Sequence, residues 1–250
     1  MRVSQLKKVK TALNNLNLEI QVISDRCNNY DGDDCNITRA LNITGEFMYF
    51  SFDNGDLADK YGIPTESYGM SFSDASPRKP YYGKYAVFNK ATSSNFNTNS
   101  PTWVTFGTGK SLSLWLRKLT NTDSGVVWSF LMSQPPLFQH MGSNGLASSD
   151  NLEFYWKTSS TLPIRFYSSS KLLDNEWHHL AVVCKATGVD IYIDGVLDNS
   201  SSSTFDPVTS NIKFGGLQGI NSAFFSGHMD EIRMFNVELT AAQIQQIYNY

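Results

Sequence analysis

Glu176-Trp177-His178-His179-Leu180-Ala181-Val182-Val183-Cys184, followed by Val189-Asp190-Ile191-Tyr192-Ile193-Asp194-Gly195-Val196-Leu197, is the stretch whose reading decides the fold. Each half reads as a strand rich in β-branched and aliphatic residues, which suit a pleated and largely buried surface. Asp194-Gly195 between two apolar runs is a strong signal for a type I′ hairpin, because both central residues of that turn need positive φ. Cys184 ends the first apolar run and reads as a buried thiol that packs as a small hydrophobe.

Working outward, further strands are expected at 47–52, 85–88, 111–117, 125–130, 152–156, 164–167, 211–214 and 231–235. The run Ser111-Leu112-Ser113-Leu114-Trp115-Leu116-Arg117 alternates with period two, as a strand with one buried face does. Short strands with turn formers between them predict a sandwich or barrel. The segments 133–151 and 199–204 read as loops. Thr240-Ala241-Ala242-Gln243 is a capping box, and Ile244 and Ile247 supply the face on which a short final helix docks.

The chain has 250 residues, 41% hydrophobic, 17% charged and 13% aromatic. Aromatics spread along the length argue against disorder. A net charge of -3 argues against a nucleic-acid binder that neutralises phosphates. No apolar run approaches the roughly 20 residues that cross a bilayer. The polar, Lys-rich start does not read as a signal peptide, so the expected settings are the cytosol, an assembled particle, or a chain lacking its leader. Three cysteines are too few for a disulfide scaffold, and Cys27 and Cys35 bracket an acidic loop without their spacing establishing a bond. Sequons at Asn36, Asn42 and Asn199 are no more than an Asn-, Ser- and Thr-rich chain yields by chance.

The first 30 residues follow a different period. Leu6, Val9, Leu13, Leu16, Ile20 and Ile23 alternate steps of three and four, which is a heptad seam. A helix of about 28 residues would be a rod of roughly 40 Å whose apolar stripe needs a partner. The expectation is a self-associating coiled coil over 1–30, trimer favoured, a linker over 31–45 and a sandwich over 46–250. A helix docked on its own domain is the competing reading.

The strand motifs, taken in order, resemble laminin G-like domains of the concanavalin A-like lectin superfamily. The resemblance rests on Glu176 to Val183 with Val189 to Gly195, on Phe225-Ser226-Gly227-His228-Met229-Asp230-Glu231-Ile232-Arg233-Met234-Phe235-Asn236, on Tyr49-Phe50-Ser51-Phe52-Asp53, and on Tyr85 to Phe88 and Ser113 to Leu116. It covers about residues 46–249 and not the N-terminal helix. It implies a mainly β fold, an antiparallel two-sheet jelly roll with its first and last strands side by side and a short closing helix; the heptad pattern adds a helix in front of it.

The superfamily includes glycoside hydrolases, which need facing carboxylates about 5–10 Å apart. No Glu-x-Asp-x-x-Glu run occurs, and Asp230 and Glu231 are adjacent, so simple alternation points them to opposite faces. His178 and His179 are separated in the same way and have no nucleophile motif beside them. An enzyme is therefore not expected. The resemblance allows one structural Ca²⁺, with Asp53, Asn54, Asp56, Asp59 and Asp230 as candidate ligands; turn chemistry is the alternative use for those residues. No cofactor is required. For a glycan, the candidate platforms are Tyr81, Tyr82, Trp103, Phe138 and Trp156, since the resemblance gives Trp115 and Trp177 core positions. The functional expectation is a non-catalytic, oligomeric fibre, spike or capsid-decoration subunit of a phage-like virion, with a lectin-like head for surface glycans or other structural subunits. An extracellular adhesion module of a cellular organism is the alternative, and a glycoside hydrolase comes last.

Overall fold

The structure is a computed structural model that describes residues 43–75, 83–99, 104–118, 125–131, 138–143, 151–156, 164–172, 174–217 and 223–250. The chain divides into two compact units, of which Gly45–Tyr248 carries the strands. The heptad residues, Cys27, Cys35 and nearly all of the expected linker lie outside the described residues.

The strands are β1 (Glu46–Phe50), β2 (Thr65–Tyr68), β3 (Ser71–Ser73), β4 (Tyr85–Phe88), β5 (Asn95–Thr98), β6 (Val104–Phe106), β7 (Lys110–Lys118), β8 (Val126–Leu131) and β9 (Phe138–Ser143). They continue with β10 (Asn151–Trp156), β11 (Ile164–Lys171), β12 (His178–Lys185), β13 (Gly188–Ile193), β14 (Val196–Ser201), β15 (Val208–Ser210), β16 (Ile212–Phe214) and β17 (Gly227–Phe235), and the helix α1 (Ala241–Asn249) comes last. Sheet A runs β14-β13-β12-β7-β17-β4-β3, with β1 also on β17, and sheet B runs β11-β10-β9-β8-β16-β5-β2. A small ribbon pairs β15 with β6. The expected jelly roll is present, and its first and last strands are neighbours, with Met48 opposite Met234 and Phe50 opposite Ile232.

Strand alternation explains the core. Leu112, Leu114 and Leu116 of β7 pair with Val182, Leu180 and His178 of β12, and the aliphatic members turn inward. Sheet B answers with aromatics: Phe96, Trp128, Phe130, Phe154, Trp156, Phe166 and Phe214 all belong to the same buried cluster. Phe96 stacks on Phe214 at 4.8 Å and Phe106 on Phe130 at 5.4 Å between centroids. Each such ring contributes about 1.5–3 kcal/mol by leaving water, which only two stacked sheets make possible. Cys184 is fully buried, and burial pushes its thiol pKa well above the usual range, as a packed small hydrophobe requires.

Local signals held where they are chemically specific. Asp194 and Gly195 have φ of 49° and 80°, the two positive values of a type I′ turn. The capping box closes both ways: Thr240 N donates to Gln243 Oε1 at 2.9 Å, and Gln243 N donates to Thr240 Oγ1 at 3.3 Å. Two expectations are corrected. Of the segments expected as loops, 133–151 contains β9 and 199–204 begins inside β14. Simple alternation fails at Asp230, where β17 gains one residue on β7 between Asp230 and Arg233 and Glu231 takes φ of 53°. That is a bulge, which re-aims the side chains that follow it.

Candidate functional site

The outer face of sheet A is occupied by the chain itself. Tyr248 of α1 stacks on Trp115 at 5.6 Å and lies 6.0 Å from the His179 ring, and Ile244 and Ile247 are buried. Beneath the helix, Ser113 Oγ and His179 Nε2 are 2.8 Å apart. Farther along, Arg233 is 1% exposed and holds two carboxylates, Glu46 through Nη1 at 2.6 Å and Glu231 through Nη2 at 2.7 Å. Its guanidinium stacks on the Tyr49 ring at 3.7 Å, and Tyr49 donates its hydroxyl proton to Glu231 at 2.8 Å. Lys60 and Tyr61 complete the pairing of Glu46. Burial alone would lower the Arg233 pKa, but Glu231, Tyr49 and Glu46 hold it raised. The network is charge-balanced, with both glutamates held in ion pairs, and it orders the first and last strands.

One end of sheet A carries a mixed aromatic patch. His228 lies 4.7 Å from Tyr85 and 5.9 Å from Trp177, with Arg117 opposite it on β7. Burial, helped by the Arg117 charge, pushes the His228 pKa down to about 4. Nearby, His178 is gripped by Asp194 through Nδ1 at 2.9 Å and by Asp174 through Nε2 at 3.1 Å. The Asp194 hydrogen bond raises the His178 pKa against the opposing effect of burial.

Sheet B turns a different outer face. Its registers align one residue per strand from edge to edge: Glu66 opposite Asn97, Asn97 opposite Lys213, and Lys213 opposite Ser129. The row continues through the positions of His140, Tyr155 and Arg165. Each of Asn97, Lys213, Ser129 and Tyr155 follows a core residue in its strand, so alternation sends it outward. Arg165 sits over the Tyr155 ring at 5.1 Å and pairs with Glu153, which is 5% exposed. Ser129 donates to Gly216 O at 2.8 Å. Lys213 is 9% exposed, has no hydrogen-bond or ion-pair partner among the described residues, and burial lowers its pKa. The Oδ1 atoms of Asn97 and Asn211 are buried and, among the described residues, accept no hydrogen bond. Natural structures leave few buried polar atoms unanswered, and such atoms usually mark a bound water, ion or ligand.

The residues singled out from sequence fare unevenly. Trp156 is corrected: it is 1% exposed, its Nε1 donates to Thr204 O at 3.1 Å, and it packs against Phe166 and Phe205. No ring face is left for a ligand. Tyr81, Tyr82 and Trp103 lie outside the described residues, as does the side chain of Phe138 on β9. Trp177, set aside as core, is half-buried in the His228 patch. The five candidate calcium ligands are not brought together. Asp59 accepts from Tyr49 N through Oδ2 at 2.7 Å and from Tyr61 N and Ile63 N through Oδ1 at 2.8 and 3.0 Å. Asp53 accepts from Gly83 N at 3.0 Å and Asp56 from Ala58 N at 3.1 Å. Asn54 is exposed, and Asp230 is 2% exposed with Oδ1 accepting Glu231 N at 3.0 Å. Among the described residues no group of three or more His, Cys, Asp or Glu is placed to hold a metal. As arranged, these residues do not fit a shared calcium ion. The sequon residue Asn199 uses its amide to donate to Tyr167 O at 2.9 Å, joining the two sheets.

Sequence reasoning missed Asn97, Lys213, Tyr155 and Arg165. A signal was present: Phe96-Asn97-Thr98, Ile212-Lys213-Phe214 and Phe154-Tyr155-Trp156 each set a polar or amphipathic residue between core residues. The missing information was which strands lie side by side.

This fold, with one face sealed and one polar, is that of a lectin-type β-sandwich. Residues 90–245 match the Laminin_G_3 family, described as the concanavalin A-like lectin/glucanases superfamily, and the chain belongs to that family. Usherin of Mus musculus is 32% identical over 107 residues, covering 38% of this chain and 2% of usherin, and usherin of Rattus norvegicus is 31% identical over 107 residues. The chain thus spans only about 2% of the length of these curated relatives. Among solved structures, the binding domain of Paraclostridial Mosquitocidal Protein 1 superposes with a TM-score of 0.63 at 17% identity, over 82% of this chain and 52% of that one. Domain 4 of AbnA, an arabinanase of Geobacillus stearothermophilus, gives 0.61 at 22% identity, over 82% of this chain and 98% of that one. These likenesses show the fold.

Proposed function

We propose that the sandwich is a non-catalytic binding head that holds a glycan across the outer face of sheet B. The carrying observation is the polar row through Asn97, Lys213, Ser129 and Tyr155, in and beside which two buried amide oxygens accept no hydrogen bond among the described residues. A sugar supplies hydroxyl donors to such oxygens and a flat C–H face to a tyrosine ring. The fold neighbour AbnA domain 4 was solved in complex with arabinotriose, and others are toxin receptor-binding domains, which supports a binding role for the shared scaffold. The closed Arg233 network supports the absence of catalysis, since it engages Glu46 and Glu231 in ion pairs.

We place this head on a fibre, spike or capsid-decoration subunit of a phage-like virion. The heptad run over 1–30 would gather copies, trimer favoured, and several weak sites would then act together through effective concentration. An extracellular adhesion module is the alternative setting. Sedimentation of the full chain against a Leu13→Asp, Ile20→Asp chain tests the oligomer: a drop to monomer mass is expected, and equal masses would defeat it. A glycan array read with wild type, Asn97→Ala and Tyr155→Ala tests the head. Loss of signal in both variants is expected; signal retained in both, or protein ligands bound in place of glycans, would overturn the reading.

A further inference from the structure

We infer that Lys213 makes the outer face of sheet B selective for acidic sugars, ligands that join an anionic group to a hydroxylated ring. The inference rests on the binding face proposed above and adds the ligand class. Its basis is a charge without a counter-charge. Lys213 is more than nine-tenths buried, and its cross-strand neighbours Asn97 and Ser129 are neutral. Asn211, two residues earlier in the chain, is neutral too. The nearest carboxylates in and beside the row do not answer it. Glu66 is exposed and two strands away, about 10 Å at ordinary strand spacing. Glu153, on the far side of β8 and β9, is paired with Arg165.

The lysine stem is held in place: a Cβ on Gly216 would meet Lys213 Cδ at 3.5 Å and the Phe224 ring at 3.1 Å. The ammonium is therefore carried on a packed stem instead of swinging freely into solvent. A cation on a buried stem, with the buried acceptor Asn97 Oδ1 on the neighbouring strand and Asn211 Oδ1 two residues back along the chain, asks for one ligand with two properties. It needs an anion for Lys213 and hydroxyl donors for the amides. A neutral sugar satisfies only the amides, and a free inorganic anion satisfies only the lysine. An acidic sugar satisfies both, and a charge-assisted hydrogen bond from the ammonium to a carboxylate or sulfate is stronger than one to a neutral hydroxyl.

The experiment measures affinity of the full chain for three probes at one ionic strength: an oligogalacturonate, a sulfated oligosaccharide and a neutral galacto-oligosaccharide. The expected result is at least about tenfold tighter binding of one or both acidic probes. The carboxylated and sulfated arms identify which anion is used. Lys213→Gln is expected to bring the affinity for the acidic probe down to that for the neutral one, and Lys213→Arg to keep most of the preference. NMR titration of the Lys213 Cε signal in wild type is expected to show its pKa rising when the acidic probe binds, a readout independent of any variant's folding. Equal affinity for acidic and neutral probes, or a preference that survives Lys213→Gln with no change at Cε, overturns the inference and leaves the glycan-binding face standing. Binding of no probe, with Asn97→Ala and Tyr155→Ala also without effect on the array, overturns the face as well. Preference for an acidic peptide over every sugar overturns the assignment to sugars.

Discussion

The two outer faces of the sandwich solve opposite problems. Sheet A's face is apolar or ion-paired and is closed by the chain itself, with α1 over Trp115 and His179 and with Arg233 locked between Glu46 and Glu231. Sheet B's face is a polar row in which Lys213 has no counter-charge and Asn97 Oδ1 accepts no hydrogen bond among the described residues. The contrast teaches where stability and recognition reside. Ion pairs already made gain little from a ligand, whereas a charge with no counter-charge and amide oxygens that accept no hydrogen bond among the described residues have free energy to recover on binding. Substitutions on the two faces should therefore separate folding from binding.

The largest effect is expected at Arg233. Arg233→Leu leaves Glu231 buried without its cation and Glu46 with Lys60 alone, and breaking a buried pair in this way costs about 3–5 kcal/mol. For a sandwich of this size that lowers Tm by roughly 10 °C in calorimetry. A loss below about 1 kcal/mol would mean the network is hydrated, and the sheet-A half of the comparison would fail.

Next comes a crossed pair. Ile244→Ala, at a fully buried position of α1, is expected to cost about 2–5 kcal/mol and leave glycan affinity unchanged. Tyr155→Ala, half-buried on sheet B, is expected to cost about 1 kcal/mol or less in stability and to weaken glycan binding about tenfold. Chemical denaturation and titration calorimetry on both variants check the crossing. If each substitution moved both quantities together, the division of labour between the faces would be lost.

Much of the fold was legible because its signals are local. Asp194-Gly195 carries its own turn, Thr240 to Gln243 carries its own cap, and the period-two pattern of 111–117 needs no partner to be read. Short strands such as β3, β5 and β15 were not legible: they have three or four residues rich in Ser, Asn or Thr, and neighbouring strands hold them in place more than their own propensity does. The bulge at Glu231 was likewise invisible, since it takes a positive φ at a residue that rarely adopts one. The candidate site failed for a topological reason. Asn97 and Lys213 are far apart in sequence and meet only because β5 and β16 pair. Trp156 misled in the other direction, because an aromatic's type says nothing about which side of its strand faces the core.

The histidines of the aromatic end of sheet A give a smaller, signed effect. His178 has a raised folded pKa, chiefly from the Asp194 hydrogen bond, so its contribution is full below the unfolded value of about 6.5 and is lost as pH rises through the folded value. Asp174 and Asp194 have lowered pKa values; burial opposes, but hydrogen bonds from backbone amides and His178 prevail. Their contribution holds above about 3.8 and is lost as pH falls through the folded values. The clamp is therefore strongest between about pH 4 and 6.5. His228, held down to about 4 by burial, has the opposite sign: its contribution is present above about 6.5 and is lost as pH falls toward 4. His178→Gln should lower Tm more at pH 5 than at pH 7.5, and His228→Phe should be better tolerated at pH 5 than at pH 7.5. Each difference should be a few degrees or less in paired melts. Parallel pH responses of the two variants would contradict the assignments.

The smallest expected effect concerns calcium. A structural ion would organise the loop from Asp53 to Ile63 by drawing its carboxylates to one point. Here the loop is already organised by those carboxylates acting on backbone amides, with Asp59 alone accepting from Tyr49, Tyr61 and Ile63. Asp59 cannot give both oxygens to a cation without releasing amides that burial would then leave unanswered. Chelation with EDTA, followed by addition of millimolar Ca²⁺, should accordingly move Tm by less than about 1 °C. A rise of several degrees on adding Ca²⁺, abolished by Asp53→Ala, would show that the loop rearranges to take the ion, and this rim would join sheet B as a second place where the sandwich is completed by a ligand.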